Sequence, residues 1–338
     1  MEIPTEDRST MLPIEPDSNT GEEQSRYDLD SDTESLDSLT SSVLAYEYKN
    51  GRRYATYGSN QFWLPNDEHI YGMLFGGKLI FAPIKNPRRI LDVGTGTGTW
   101  AVDVAMAYPN SRVTGTDISP NQPSWVPSNL TFEIDDAELD WNFSHLFDLI
   151  HIQNLNGAIR DWPRLFRQAY EYKSDTDSFW IKSWLTYSTS NLKPGGYFEV
   201  KEGDISAKCD DGSIPKEWSL GIAEKESLRA CDSLGQTLRA PEYIKQWMEE
   251  AGFVDVEERI FRLPMNTWPK DPELKEIGRY QCAQHLEAVS PFALGLLVEV
   301  LGWSREETEL FLVGVRDNIK DRSIHAYFSI RVVTGHRP

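Results

Sequence analysis

Three alternating glycines, Gly94, Gly96 and Gly98, stand between the apolar run Arg89–Val93 and a helix-forming run that begins at Trp100. A strand, a glycine turn and a helix N-terminus together let a ligand lie against bare backbone. The glycines supply φ > 0 and remove the Cβ atoms that would block that approach. A dinucleotide site would want G-x-G-x-x-G, but Thr99 occupies the place of its third glycine. The loop holds no lysine, so the triphosphate-binding pattern G-x-x-x-x-G-K-[ST] is absent.

Carboxylates at fixed positions after the loop narrow the ligand. Asp117 ends the second expected strand, where a carboxylate accepts hydrogen bonds from a ribose diol. Asp136 and Ala137 end the third and offer a carboxylate and a backbone N–H to an adenine edge. Asp92 ends the first, where a ligand ammonium would lie. Thr95 in the loop, Ile118 beside Asp117 and Gln153 after the fourth strand complete the expected contacts. Ribose, adenine, amino acid and sulfonium without phosphate describe S-adenosyl-L-methionine. Methyl transfer is an in-line displacement, so positioning supplies much of the acceleration. A base is needed only where the acceptor loses a proton, and His151 is the titratable residue expected there. The plainer alternative is a histidine packed beside the sheet. Tyr57, Trp63, Trp162 and Trp268 either line an acceptor pocket or belong to the core. His285 and His325 stand on segments remote from the expected pocket mouth, and nothing pairs them as metal ligands.

The elements that must position these residues follow from periodicity and punctuation. A helix over residues 100–108 stops at Pro109. Strands are expected over 112–117, 130–134, 147–152 and 197–200, with a helix from 162 to 172 and a turn at Lys193-Pro194-Gly195-Gly196. Strands alternating with helices imply a mainly parallel sheet. The second half reads as helices over 219–234, 240–251, 273–289, 292–301 and 305–320. The last of these starts at Ser304, with Glu307 three residues on. Strands are expected over 253–263 and 324–333.

The stretches Tyr-Glu-Tyr-Lys-Asn-Gly-Arg-Arg-Tyr (46–54), Trp-Leu-Pro-Asn-Asp-Glu (63–68) and Arg-Ile-Leu-Asp-Val-Gly-Thr-Gly-Thr-Gly (89–98) carry a resemblance. So do 115–127, 135–141, 161–170, 192–196, 243–248 and Ser-Ile-His-Ala-Tyr (323–327). From about residue 40 onward the chain resembles the fungal LaeA-like, class I S-adenosylmethionine-dependent methyltransferases. The resemblance implies a Rossmann-like α/β fold, with a seven-stranded sheet of order 3-2-1-4-5-7-6, strand 7 antiparallel and helices on both faces. It implies that Gly94, Gly96 and Gly98 form the cofactor loop, Asp117 holds the ribose and Asp136-Ala137 the adenine. The expected organisation is an acidic disordered tail (1–40), an N-terminal cover (41–88), a cofactor-binding core (89–204) and helical insertions with terminal strands (205–338).

Two departures from the family pattern stand out. Residues 69–76 are shorter than the family's helical segment with its Gln-His-His element, which leaves less to cover a cofactor. Residues 172–191 are an insertion, about twenty residues without periodicity where compact domains rarely carry such a loop. We read it as a retained intron, with a surface loop as the alternative. The expected activity is methylation of a small-molecule or peptide secondary metabolite. The alternative is a LaeA-type nuclear regulator acting through a velvet-type protein partner with little turnover. Thr99 and Asp136-Ala137 count against a third reading, an NAD-dependent oxidoreductase.

Composition bounds these readings. The net charge is −19, and residues 1–40 hold twelve acidic residues against two arginines. That argues against direct nucleic-acid binding. Three widely spaced cysteines form neither a disulfide framework nor a metal pattern. No run approaches the roughly 20 apolar residues of a membrane span and the N-terminus lacks a signal core. The expectation is a cytoplasmic or nuclear protein.

Overall fold

The structure, a computed structural model, describes residues 13–17, 67–170 and 191–338. The expectations for the remaining residues, including 41–66 and nearly all of the 172–191 insertion, lie outside the described residues. Seven strands, β1 (Arg89–Val93), β2 (Arg112–Asp117), β3 (Leu130–Ile134), β4 (Phe147–Gln153), β5 (Leu192–Gly203), β6 (Val254–Pro264) and β7 (Tyr327–His336), form one mixed sheet. Its order is β3-β2-β1-β4-β5-β7-β6, as the resemblance implies. The chain divides into two compact units.

The first unit comprises residues 79–202, 240–259 and 331–338. It holds β1 (Arg89–Val93), β2 (Arg112–Asp117), β3 (Leu130–Ile134), β4 (Phe147–Gln153) and most of β5 (Leu192–Gly203). The pairs β1–β2, β2–β3, β1–β4 and β4–β5 are all parallel. Helices Thr99–Ala107, Trp162–Tyr170 and Ala240–Glu250 follow the periodic runs that predict them. Alternate strand residues feed two cores. Leu91, Val93, Ile150, Ile152, Phe198 and Val200 pack with Trp162, Phe166 and Met248. Ile90, Leu149 and Val113 pack with Trp100, Ala101 and Val104. Burial on both faces explains why these strands read as continuous apolar runs. Trp162 is core, not a pocket wall.

β5 corrects one expectation. Lys193-Pro194-Gly195-Gly196 is not a turn ahead of the strand but part of it. Gly195 N–H donates to Arg337 O, and Arg337 N–H to Gly196 O. Tertiary pairing overrides the turn chemistry of Pro-Gly-Gly there.

The second unit contains residues 203–239 and 260–330 together with the described residues before 79. Its helices are Asp67–Leu74, Ser219–Ser233, Pro272–Ala293 and Arg305–Lys320. Asp271 caps the third through Leu274 N–H, and Ser304 caps the last through Glu307 N–H. The expected break near residue 290 is absent. The third helix continues through Pro291 and then widens into a π-helical segment, Leu294–Val300. The shortened 69–76 segment is a core element here, with Ile70, Leu74 and Phe75 buried and Phe75 edge-on to Phe261. Trp268 is also core. The strand expected from residue 324 begins at Tyr327, since Ala326 O is taken by the Trp268 indole and Met265 N–H. Five residues of the acidic tail depart from the expected disorder. Pro16 bridges Pro269 antiparallel, Asp17 N–H donates to Trp268 O, and Lys270 N–H donates to Glu15 O.

Candidate active site

The glycine loop takes the form its spacing predicts. Gly94, Gly96 and Gly98 all have positive φ, at 69°, 57° and 81°. The three positions differ in what a Cβ would meet. At Gly98 it would lie 2.3 Å from the Phe132 ring, and at Gly94 it would strike Leu155. At Gly96 it would meet nothing within 4 Å. The loop is therefore packed from behind at two glycines and open at the middle one, the arrangement a ligand cradle needs.

Asp117 stands beside that opening. Its Oδ2 accepts from Gly96 N–H at 2.8 Å and its Oδ1 from Ser119 N–H at 2.9 Å. Partial burial raises its pKa against those hydrogen bonds. Gln122, which the sequence reading missed, braces the same place by donating to Gly96 O and Ser119 O. Ile118 is 60% exposed, an apolar face beside the carboxylate. Asp136 is exposed and turned toward its own loop, where Oδ1 accepts from Glu138 N–H. Ala137 is half-buried, with its carbonyl accepting from Trp141 Nε1 and Gln168 Nε2. Gln153, half-buried, ends β4.

Asp92 and His151 stand on the strands the sequence reading gives them, but both are buried. Asp92 is only 3% exposed. Its Oδ2 accepts from the Thr95 hydroxyl at 2.5 Å, and its Oδ1 lies 2.7 Å from His151 Nδ1. It braces the loop from below and presents neither oxygen to a ligand ammonium. His151 has no exposed surface, and the Trp100 ring lies flat on it with centroids 3.5 Å apart. Its Nε2 is sealed without a hydrogen-bond partner. A general base must reach its proton through a hydrogen bond. His151 cannot, so the base role is withdrawn and the packed reading stands.

The reason lies in strand register. Gly115, Asp92, His151 and Glu199 are successive partners across β2, β1, β4 and β5. The three polar side chains share the sheet face that Trp100 covers. Glu199 accepts from Phe81 and Ala82 N–H, at 2.6 and 2.7 Å. Lys201 lies 3.2 Å from Glu199, donates to Leu79 O and sits 5.4 Å over the Trp100 ring. Burial pushes the Asp92 carboxyl up to about 7 and holds His151 well below the usual imidazole range. Glu202, also fully buried, accepts from Leu155 and Asn156 N–H and fixes the loop after β4. Sequence reasoning missed Glu199, Lys201 and Glu202. The available signal was three charges inside an otherwise apolar strand, which only burial with partners can explain.

Among the described residues no group of three or more His, Cys, Asp or Glu could hold a metal. None of their helices is long and apolar enough to cross a membrane.

A glycine loop opening onto a helix N-terminus, a carboxylate at the end of β2 and the strand order 3-2-1-4-5-7-6 define a Rossmann-like class I methyltransferase. Proteins of this class take their methyl group from S-adenosyl-L-methionine. A methyltransferase domain family matches residues 67–258. The chain is 37% identical over 336 residues to the methyltransferase pytC of Aspergillus terreus, covering 94% of this chain and 98% of that protein. It is 32% identical over 313 residues to the secondary metabolism regulator LAE1 of Cochliobolus heterostrophus, covering 86% and 94%. The probable methyltransferase tdiE of Emericella nidulans matches at 28% over 272 residues, covering 80% and 79%. The chain belongs to the fungal LaeA-like methyltransferase family.

Proposed function

We propose that the chain transfers the methyl group of S-adenosyl-L-methionine to a small-molecule or peptide secondary metabolite. The observation that carries this is the open Gly96 beside the Asp117 carboxylate. Asp117 would accept from the ribose diol, giving up its bond to Gly96 N–H to a ligand oxygen. Ile118 supplies an apolar surface for adenine, with Asp136 and the Ala137 backbone at its polar edge. Thr95, Gly94, Gly96 and Gly98 form the floor, and Gln153 borders it. When bound, the cofactor supplies a sulfonium methyl for a single in-line displacement. Asp92 contributes by holding Thr95, and His151 and Trp100 by sealing that contact from water.

The test is calorimetric. Wild-type protein is expected to bind S-adenosyl-L-methionine, and Asp117→Ala to lose at least about 1.4 kcal/mol, a tenfold weakening. Unchanged affinity in the variant counts against the assignment of Asp117.

A second reading rests on the extended match to secondary metabolism regulators. In it the chain binds the cofactor but acts through protein partners, a velvet-type protein among them. Recovery of such a partner by a tagged chain, with no methyl transfer to any extract, favours this reading over the first.

A further inference from the structure

The strand ends opposite the glycine loop carry charge of the other sign from the chain as a whole. The net charge is −19. Yet Arg89 opens β1, Arg112 opens β2 and Lys193 stands second in β5, with Lys85 and Arg88 in the segment leading into β1. These strands and β4 are parallel neighbours within the first unit, so their beginnings share one end of the sheet. Arg89 and Arg112 are register partners, and Arg112 N–H donates to Arg88 O. Lys85, Arg88 and Arg112 are exposed and Arg89 is half-buried. Among the described residues none of these four cations pairs with a carboxylate.

The carboxylate that stands with them is Asp148, and its oxygens are occupied. Oδ2 accepts from the N–H groups of Arg88 and Arg89, at 2.9 and 2.8 Å, and Oδ1 lies 2.6 Å from Lys193 Nζ. His145, just ahead of β4, feels the same field. Burial first, then the charges of Arg89, Arg112 and Lys193, hold its imidazole below the ordinary range. Like charges at facing positions of neighbouring strands cost stability. A partner of negative charge turns that cost into attraction. Beside the cations lies a cavity of about 370 Å³, walled by Pro83, Ile84, Pro87, Pro194 and Tyr197, with Lys85 and Lys193 in its lining.

The chemistry of this surface selects its occupant. The N–H groups of Arg88, Arg89 and Arg112 are all taken, so they form no amide cradle for a single phosphate. A nucleic-acid backbone offers nothing to fill an apolar cavity, and a net charge of −19 opposes so dense a polyanion. An acidic peptide that also carries apolar side chains satisfies both halves of the surface. We infer that this end of the sheet docks an acidic segment of a partner protein, one apolar side chain in the Pro83–Tyr197 cavity and carboxylates on Arg88, Arg89 and Arg112. Arginine is the cation suited to such pairs, through its planar fork of donors. The glycine loop lies at the other ends of the same strands, so docking leaves the donor site open. The inference therefore stands apart from the methyl-transfer reading.

The experiment uses the full chain and a short fluorescein-labelled peptide of alternating aspartate and leucine, read by polarisation. Wild type is expected to bind it, less tightly as salt is raised. The double variant Arg88→Glu, Arg112→Glu should bind at least about tenfold more weakly. A peptide with serine for leucine should lose a similar factor on wild type, because the cavity is left unfilled. Arg112→Gln should weaken the peptide and raise the unfolding midpoint, since it relieves Arg89 of a like charge. Calorimetry should show S-adenosyl-L-methionine binding unchanged in all these variants. No binding by wild type, or equal binding by the double variant, overturns the inference. Equal affinity for the serine peptide overturns the role of the cavity. Tighter binding of duplex DNA than of the peptide replaces the protein partner with a nucleic acid. A lowered midpoint in Arg112→Gln with unchanged peptide affinity makes the cation structural.

Discussion

Asp92 and His151 are register partners on neighbouring strands, and a 2.7 Å contact joins Oδ1 to Nδ1 with both side chains removed from water. The contact links the loop to the sheet, because the other Asp92 oxygen holds Thr95. Its pH behaviour follows from burial. With the Asp92 carboxyl raised from 3.8 to about 7, the folded chain retains a proton between about pH 4 and 7 that the unfolded chain releases. Stability from this group is therefore greatest at low pH, falls through that window and is level above it. His151 runs the other way, since a depressed imidazole pKa removes stability as the pH falls below its unfolded value. Asp92→Asn isolates the carboxyl. Urea unfolding at pH 5 and pH 8 should show the variant gaining roughly 2–4 kcal/mol on wild type between the two. Parallel profiles would show that the carboxyl does not titrate in that range.

The two faces of the glycine loop predict opposite phenotypes. Gly96→Ala adds a methyl that meets nothing, at a φ of 57°. It should cost about 1–2 kcal/mol for the left-handed backbone and fold normally. Because that methyl points into the open side, donor affinity should fall about tenfold or more. Gly98→Ala drives its methyl into Phe132 at 2.3 Å and adds overpacking of about 1–3 kcal/mol to the backbone cost. Paired thermal melts and calorimetry on the two variants check this. The order reverses if the ligand lies on the Phe132 side.

Much of this site was legible in the sequence, and the reason is local. Glycine spacing, proline stops and apolar alternation report backbone conformation directly, so β2 and β3 fall on their expected residues. What was not legible depends on register. Nothing near Asp92 in the chain says that His151 and Glu199 will stand beside it in one row, or that Trp100 will close over them. A residue at the carboxyl end of a strand was therefore read as facing a ligand when it faces a helix. The pairing of His325 was not legible either. Its partner Asp211 lies 114 residues away, and no periodic signal joins them.

Glu199 and Lys201, with side chains at most 1% exposed, sit 3.2 Å apart beneath Trp100. Removing one partner of a buried pair leaves an uncompensated charge, whereas removing both often costs little. Lys201→Met should destabilise by about 3–5 kcal/mol. Adding Glu199→Gln should recover most of that, since the amide oxygen can still accept from Phe81 and Ala82 N–H. A double-mutant cycle in urea measures the coupling. Additive losses in the two single variants would place the stabilisation in the backbone hydrogen bonds instead.

The paired segment of the acidic tail gives the last prediction. Asp17 reaches both Lys275 and the buried guanidinium of Arg322, the latter at 3.8 Å. Glu15 meets Lys270 at the surface, where both side chains are more than half exposed. Charge burial separates these two contacts, although they are two residues apart. Asp17→Ala removes a carboxylate from a desolvated cation and should cost about 1–3 kcal/mol. Glu15→Ala removes an exposed pair and should leave the unfolding midpoint unchanged within error. Amide exchange gives the structural readout. Lys270 N–H, which donates to Glu15 O at 2.9 Å, should lose protection when residues 1–17 are deleted, and keep it in Glu15→Ala, where only the side chain is gone. Retained protection in the truncated chain would mean that this amide is shielded by something other than the docked segment.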